Sequence, residues 1–216
     1  MVKTRGDHRI GAGLLVNGNC AFRAPPGEGG AWREAASVGR TGMRQSGSAH
    51  RAGGKFVRAP AQYFRAGAGS VILNGGGLVL ALERASIPGA WQLPQGGLRA
   101  SEEPLDAAYR ETAEETGISR ADLELLDSFP EPLAYELPAG ARSAKTGRGQ
   151  AQYWFLFRFR GEENRIDPTA SEEFCAWRWM PFHDLIEATV DFRRPVYRRL
   201  AERFQGYLTR EGEGPG

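Results

Sequence analysis

The chain has 216 residues, 41% of them hydrophobic and 25% charged. This fits one globular domain of about 150 residues plus an extension, and excludes a wholly disordered chain. The formal net charge of +2 conceals an asymmetry: residues 1–60 hold ten Lys or Arg against Asp7, Glu28 and Glu34 (10 − 3 = +7), so the rest carries 2 − 7 = −5. An acidic body excludes bulk charge as a nucleic-acid-binding device, so any anionic ligand must be met by local basic residues and cations.

Residues 1–60 are rich in Gly, Ala, Arg and Ser and show neither a helical nor a strand period. The expectation is a flexible basic extension, because it buries too little to offset the entropy of ordering it. An upstream start or a weak electrostatic RNA tether are the alternatives. Lys3, Arg5 and Arg9 precede Ile10 to Val16, but that run is short, broken by glycine and without a small-x-small cleavage site, so no signal peptide is expected. No apolar run approaches the roughly 20 residues that span a bilayer. Cys20 and Cys175 make neither a disulfide framework nor a zinc site. A reducing cytoplasm is the simplest setting.

Regular structure is expected over residues 61–208, with 209–216 a flexible tail. Ala68 to Leu73 and Leu78 to Leu82 read as a hairpin around Asn74-Gly75-Gly76-Gly77. Ile87-Pro88-Gly89 is a turn, and Trp91-Gln92-Leu93 a short strand closed by Pro94, Gly96 and Gly97. Pro104 to Thr116 is a helix with Pro104 in its first turn and Gly117 as a left-handed C-cap. Leu123 to Phe129, Tyr153 to Phe159 and Phe174 to Met180 read as strands, and Val196 to Tyr207 as a closing helix with Val196, Leu200 and Phe204 at spacing four. The mixture lacks a βαβ rhythm and suggests an α/β fold, a mixed β-sheet sandwiched between helices.

The central helix carries an anomaly. At about 100° per residue, Glu111 and Glu115 lie about 40° apart around the axis, and Glu114 about 60° from Glu111 on the other side. Like charges at this spacing destabilise a helix, and these occupy its negative end, where Lys or Arg is favoured. Arg110 neutralises one; a bound divalent cation neutralises the others, since Mg²⁺ takes oxygen ligands shared between carboxylates and phosphates. A solvated acidic face is the plain alternative. His8, His50 and His183 form no pair at ligand spacing, and no Ser-His-Asp, Cys-His or Walker arrangement is present.

Reading outward, Gly96 is followed by five residues and Glu102, then seven residues and Arg110-Glu111, then Glu114-Glu115, Gly117 and Ile118. This pattern resembles the Nudix box, a loop-helix-loop motif, at every defined position except Thr112, where an aliphatic residue is usual. Its hydroxyl needs a partner, and the carbonyl four residues earlier is the expected one. The flanks Trp91-Gln92-Leu93-Pro94-Gln95-Gly96-Gly97, Tyr135-Glu136-Leu137-Pro138, Gly149 to Phe155, Glu173-Phe174 and Phe192 to Arg199 are similar to the branch containing bacterial RNA pyrophosphohydrolases and asymmetrical diadenosine tetraphosphate hydrolases.

The resemblance implies an enzyme with Glu111, Glu114 and Glu115 as metal ligands or base, Glu173 as a further ligand or base, and the Gly96 carbonyl facing the cation. It makes Glu102, Arg110 and Gly117 structural members of the motif. Arg65 and Arg193 are the implied phosphate contacts, Phe192 the base-stacking ring, and Tyr135 a residue lining the base pocket. Arg142, Lys145 and Arg148 are candidates for distal phosphates. The implied cofactor is Mg²⁺, with Mn²⁺ as a substitute. The implied substrate is a 5′-triphosphate RNA end or a dinucleoside polyphosphate, with no membrane and no obligate protein partner. A nucleotide sugar or oxidised nucleotide is the alternative substrate, and an inactive nucleotide- or RNA-binding module the alternative class. Glu114, Glu115 and Glu173 all qualify as general base.

Overall fold

The structure, a computed structural model, describes Leu15–Val16 and residues 62–208. Its strands are Leu15–Val16 (β1), Phe64–Leu73 (β2), Val79–Arg84 (β3), Trp91–Gln92 (β4), Gln95–Gly97 (β5), Leu123–Ser128 (β6), Leu133–Glu136 (β7), Gly149–Phe159 (β8) and Phe174–Met180 (β9). The helices are Pro104–Thr116 (α1), Phe182–Ala188 (α2), Arg194–Arg203 (α3) and Gln205–Leu208 (α4). The expectations for the extension and the tail fall outside the described residues, except that Leu15–Val16 pairs antiparallel with β9.

The sheet runs β1-β9-β3-β2-β8-β6, with β4 against β3, β5 against β2 and β7 against β8. It is mixed: β2 and β8 pair in parallel over ten residues, from Phe64 with Gly149 to Leu73 with Arg158, and the other pairings are antiparallel. Because strand side chains alternate, each face carries its own core. Ala68, Ile72, Leu82 and Phe157 pack with Ala107 and Ala108 of α1. Val71, Leu73, Trp154 and Leu156 pack with Leu185, Tyr197 and Leu200 of α2 and α3. The mixed sheet between helices is therefore observed.

The hairpin turn is closed by Asn74, whose Oδ1 accepts from the N–H groups of Gly76 (2.9 Å) and Leu78 (3.0 Å). Helix α1 starts on Pro104 and stops at Gly117, whose φ of 72° is left-handed. Several boundaries differ from expectation. Gln95–Gly97, expected as a closing turn, is a strand because it pairs with Gly67–Gly69. Strand β8 begins at Gly149, ahead of Tyr153, because β2 supplies a partner from Phe64 onward. The closing helix breaks at Phe204, whose φ of −101° and ψ of 10° leave the helical region, so α3 and α4 replace one continuous helix. Strand β7 and helix α2 had no sequence expectation. Cys175 is disulfide-bonded. No helix among the described residues is long and apolar enough to cross a membrane.

Candidate active site

The local geometry begins with glycines. On β2 and β5, Gly67 faces the Gly96 carbonyl so closely that a Cβ there would overlap it, and a Cβ on Gly69 would enter the Trp154 ring. The absence of side chains lets the two strands and α1 approach. A Cβ on Gly96 would overlap the Glu111 carboxyl, and one on Gly97 the Arg65 guanidinium. The two glycines thus form the floor on which an acid and a base lie.

Around this floor is a cleft of about 220 Å³ whose lining includes Arg65, Arg84, Glu111, Glu115, Glu173 and Arg193. A slightly larger hollow, about 280 Å³, lies between the hairpin turn and α2; apart from His183 its side chains, Leu78, Phe182 and Ile186 among them, are apolar.

Glu115 is 6% exposed, and its Oε2 accepts from the Gln95 N–H at 2.9 Å. Burial pushes its carboxyl well above the ordinary range; the Gln95 N–H opposes this, while repulsion from Glu111 and Glu173 adds to it. Glu111 accepts from Arg110 Nη1 at 2.6 Å. Glu173 precedes β9, is 60% exposed, and lies 3.8 Å from Arg84 Nη1. Glu114 does not line the cleft. Its carboxylate pairs with Arg99 (2.9 Å) and Arg110 (3.3 Å). Among the described residues, no three acidic, His or Cys side chains converge on one ion position as their side chains stand.

Arg110 braces the loop before the helix. Its Nε and Nη2 donate to the two Glu102 oxygens, both at 2.7 Å, and Nη2 also donates to the Gly97 carbonyl at 3.0 Å. Glu102 accepts further from the Arg99 N–H at 2.8 Å. The Arg110 hydrogen bonds, then that of Arg99, hold the Glu102 carboxyl down at about 2.

Thr112 does not bond directly to the carbonyl four residues back. Its hydroxyl donates to Ser70 Oγ at 2.8 Å, and Ser70 donates to that Ala108 carbonyl at 3.4 Å. The expected acceptor is reached through a residue of β2, which no helix-local reading contains.

On the opposite side, Arg193 is buried. It donates to Gln92 Oε1 at 2.6 Å, and Gln95 satisfies its neighbours only with its amide oxygen facing Arg193, accepting at 2.9 Å from Nη2 and donating to Gln152 at 3.3 Å. Burial works against the charge, but Tyr135, Tyr197 and Glu115 outweigh it and hold the guanidinium charged. The rings of Tyr135 and Phe192 are 5.5 Å apart between centroids, tilted by 30°. They touch each other, so a flat ligand lies on the pair or parts it. Arg142 and Arg148 are not in the cleft; both pair with Glu136.

Sequence reasoning left out Arg84 and gave no role to Gln92, Gln95 or Gln150. The signal for the glutamines was present: polar residues recur at inward positions of otherwise apolar strands. Arg84 had none, because a register shift at Glu83/Arg84 aims it, and a bulge is a property of the pairing.

A mixed sheet between helices, with an acid-bearing helix end facing a guanidinium-lined cleft, defines a class of α/β hydrolases that handle phosphoanhydrides. The model of the NUDIX domain matches residues 63–200, and the chain belongs to the Nudix family. It is 40% identical over 149 residues to an RNA pyrophosphohydrolase of Halorhodospira halophila (67% of this chain, 82% of the relative) and 36% identical over 161 residues to Nudix hydrolase 25 of Arabidopsis thaliana (69% and 90%). Among solved structures it resembles an E. coli dihydroneopterin triphosphate pyrophosphohydrolase (TM-score 0.54, 22% identity, covering 66% of this chain and 99% of that one) and a C. elegans Ap4A hydrolase complex (TM-score 0.51, 21% identity, 66% and 98%). Those two likenesses support the fold. The protein is an enzyme, a hydrolase acting on acid anhydrides, of a family that generally uses divalent metal ions.

Proposed function

We propose that this enzyme hydrolyses the phosphoanhydride of a 5′-triphosphate RNA end, releasing pyrophosphate, and that dinucleoside polyphosphates compete for the same cleft. The observation that carries the reading is the juxtaposition of Glu111, Glu115 and Glu173 with Arg65, Arg84 and Arg193 in one cleft, beside the Tyr135–Phe192 pair. The names and coverage of the 40%-identical relatives support the RNA end. A cytoplasmic setting belongs to the same reading.

The donor set fits Mg²⁺. Glu115 is buried, and both burial and repulsion from Glu111 and Glu173 work against its charge, which a cation would offset. These carboxylates are hard oxygen donors, and the bare Gly96 leaves room for the Glu111 carboxyl. A bound ion would supply Lewis-acid polarisation and would acidify a water enough to lose its proton near neutral pH. Glu111, Glu115, Glu173 and the Gly96 carbonyl would hold it, joined by Glu114, whose half-exposed ion pairs are weak enough to exchange. One carboxylate of Glu114, Glu115 and Glu173, each of which qualifies as base, takes the proton from the attacking water. Arg65, Arg84 and Arg193 clamp the polyphosphate, orienting one phosphorus for in-line attack and spreading the charge of the leaving group. Phe192 and Tyr135 stack on the purine.

The test compares kcat/KM for a triphosphorylated RNA and diadenosine tetraphosphate on one preparation with Mg²⁺. The RNA is the better substrate, and Glu115→Gln lowers kcat at least about 100-fold on both. Wild-type activity in Glu115→Gln would dismiss the assigned site, and a clear preference for the dinucleotide would dismiss the RNA assignment.

A further inference from the structure

Two of the large hydrophobic side chains left exposed among the described residues, Tyr63 (49%) and Phe64 (38%), are neighbours at the start of β2, and neither belongs to a core cluster. Tyr63 stands two residues before Arg65, which lines the cleft. In extended chain, alternate residues share a side at about 6.6 Å spacing. Tyr63 is therefore one step outside the cleft mouth, on the side of Arg65.

Its ring is held in place. The hydroxyl donates to the Ala144 carbonyl, the carbonyl of Tyr63 accepts from the Arg148 N–H at 2.8 Å, and the ring edge rests where a Cβ of Gly147 would be. Gly147 has a φ of 73°, which a side chain tolerates poorly. Such a ring uses its polar atom within the protein and still offers an open face. The adjoining loop is cationic: Arg142, Lys145 and Arg148 against Glu136 give 3 − 1 = +2, in a body whose net charge is negative.

A fixed exposed ring beside a local cationic patch, continuous with a phosphate-binding cleft, matches the way proteins hold single-stranded nucleic acid. We infer that Tyr63 is a stacking platform for a nucleobase downstream of the cleaved 5′ end, with Lys145 and Arg148 along the phosphates that follow. This subsite rests on the RNA reading above and adds to it a preference for chains over mononucleotides.

The test measures kcat/KM of the full chain for adenosine triphosphate, diadenosine tetraphosphate and 5′-triphosphorylated RNAs of two and four nucleotides. Wild-type kcat/KM rises with RNA length. Tyr63→Ala lowers the tetranucleotide value at least about fivefold more than the adenosine triphosphate value, a typical stacking effect. Tyr63→Phe, which keeps the ring and loses the bond to Ala144, retains most of the length effect. Equal losses on all substrates, or Tyr63→Phe as damaging as Tyr63→Ala, would make the ring a structural anchor and overturn the inference. A loss on diadenosine tetraphosphate matching that on the tetranucleotide would overturn it too. RNA cleavage without a Tyr63 effect removes the subsite alone; failure of the wild type to cleave any RNA removes the functional reading and the subsite together.

Discussion

Ser70 and Thr112 place two hydroxyls in the dry contact between α1 and β2, where the family pattern has an aliphatic side chain. Each is buried and each has a partner, in a relay from Thr112 to Ser70 to the Ala108 carbonyl. An unmade bond in such a place costs more than a made one contributes. Ser70→Ala is therefore expected to destabilise the fold by about 1–2 kcal/mol, because the Thr112 hydroxyl loses its acceptor. Thr112→Val in that background recovers much of the loss, since both polar partners are then gone. Urea denaturation of the two single variants and the double one gives the coupling directly. Additive single effects would mean that the relay does not act as a unit. At this scale the sequence showed that Thr112 needed a partner and gave the acceptor at the end of the relay. It did not show Ser70, which lies 42 positions away and meets α1 only after folding.

Helix α1 was legible from end to end, because its signals are local: Pro104 at the start, Gly117 at the stop. What it confronts was not. The acidic end is tolerated because Arg110 spans Glu102, Glu111 and Glu114, and because Gly96 leaves room for the Glu111 carboxyl. Gly96→Ala separates these effects. The added Cβ meets the flexible end of Glu111, which can swing away, so stability changes by less than about 1 kcal/mol. The carboxylate leaves its position, and a displacement of about 1 Å at a reacting centre costs on the order of 100-fold in kcat. Comparing the denaturation midpoint with kcat checks this; a full-activity Gly96→Ala enzyme would show that the floor need not be bare. Gly117→Ala should do the reverse, losing about 1–2 kcal/mol through its left-handed φ while kcat in the folded fraction stays within about twofold.

Across the whole molecule, two groups tie α1 and α3 to the loops they pack on. Tyr197 of α3 is buried with its oxygen accepting from the Leu93 N–H at 2.9 Å, and burial raises its pKa to about 12, opposed by Arg193 and that N–H. Its contribution is complete below the ordinary tyrosine value near 10 and is lost as pH rises from there through about 12. Glu102 has the opposite sign. Its carboxyl is depressed from 4.5 to about 2, so its contribution is complete above about 4.5 and is lost as pH falls through about 2. Stability should therefore lose one increment on each side. Tyr197→Phe removes the alkaline increment and Glu102→Gln the acid one, as read by thermal denaturation against pH. An alkaline limb unchanged in Tyr197→Phe would assign that limb to other groups.

The sequence alone determined the elements whose causes are local: the Asn74 turn, the limits of α1 and the acidic crowding at its end. Its box spacing also carried the family. Only the tertiary structure decided what those elements meet. Parallel pairing of β2 with β8 extended one strand and brought Arg65 beside Gln150; the bulge at Glu83/Arg84 aimed a third guanidinium into the cleft; and β7, invisible in sequence, brought Tyr135 to Phe192. The physical reason is range. Caps, turns and helical spacing act within about one turn, whereas pairing register and burial join residues that the chain itself keeps dozens of positions apart.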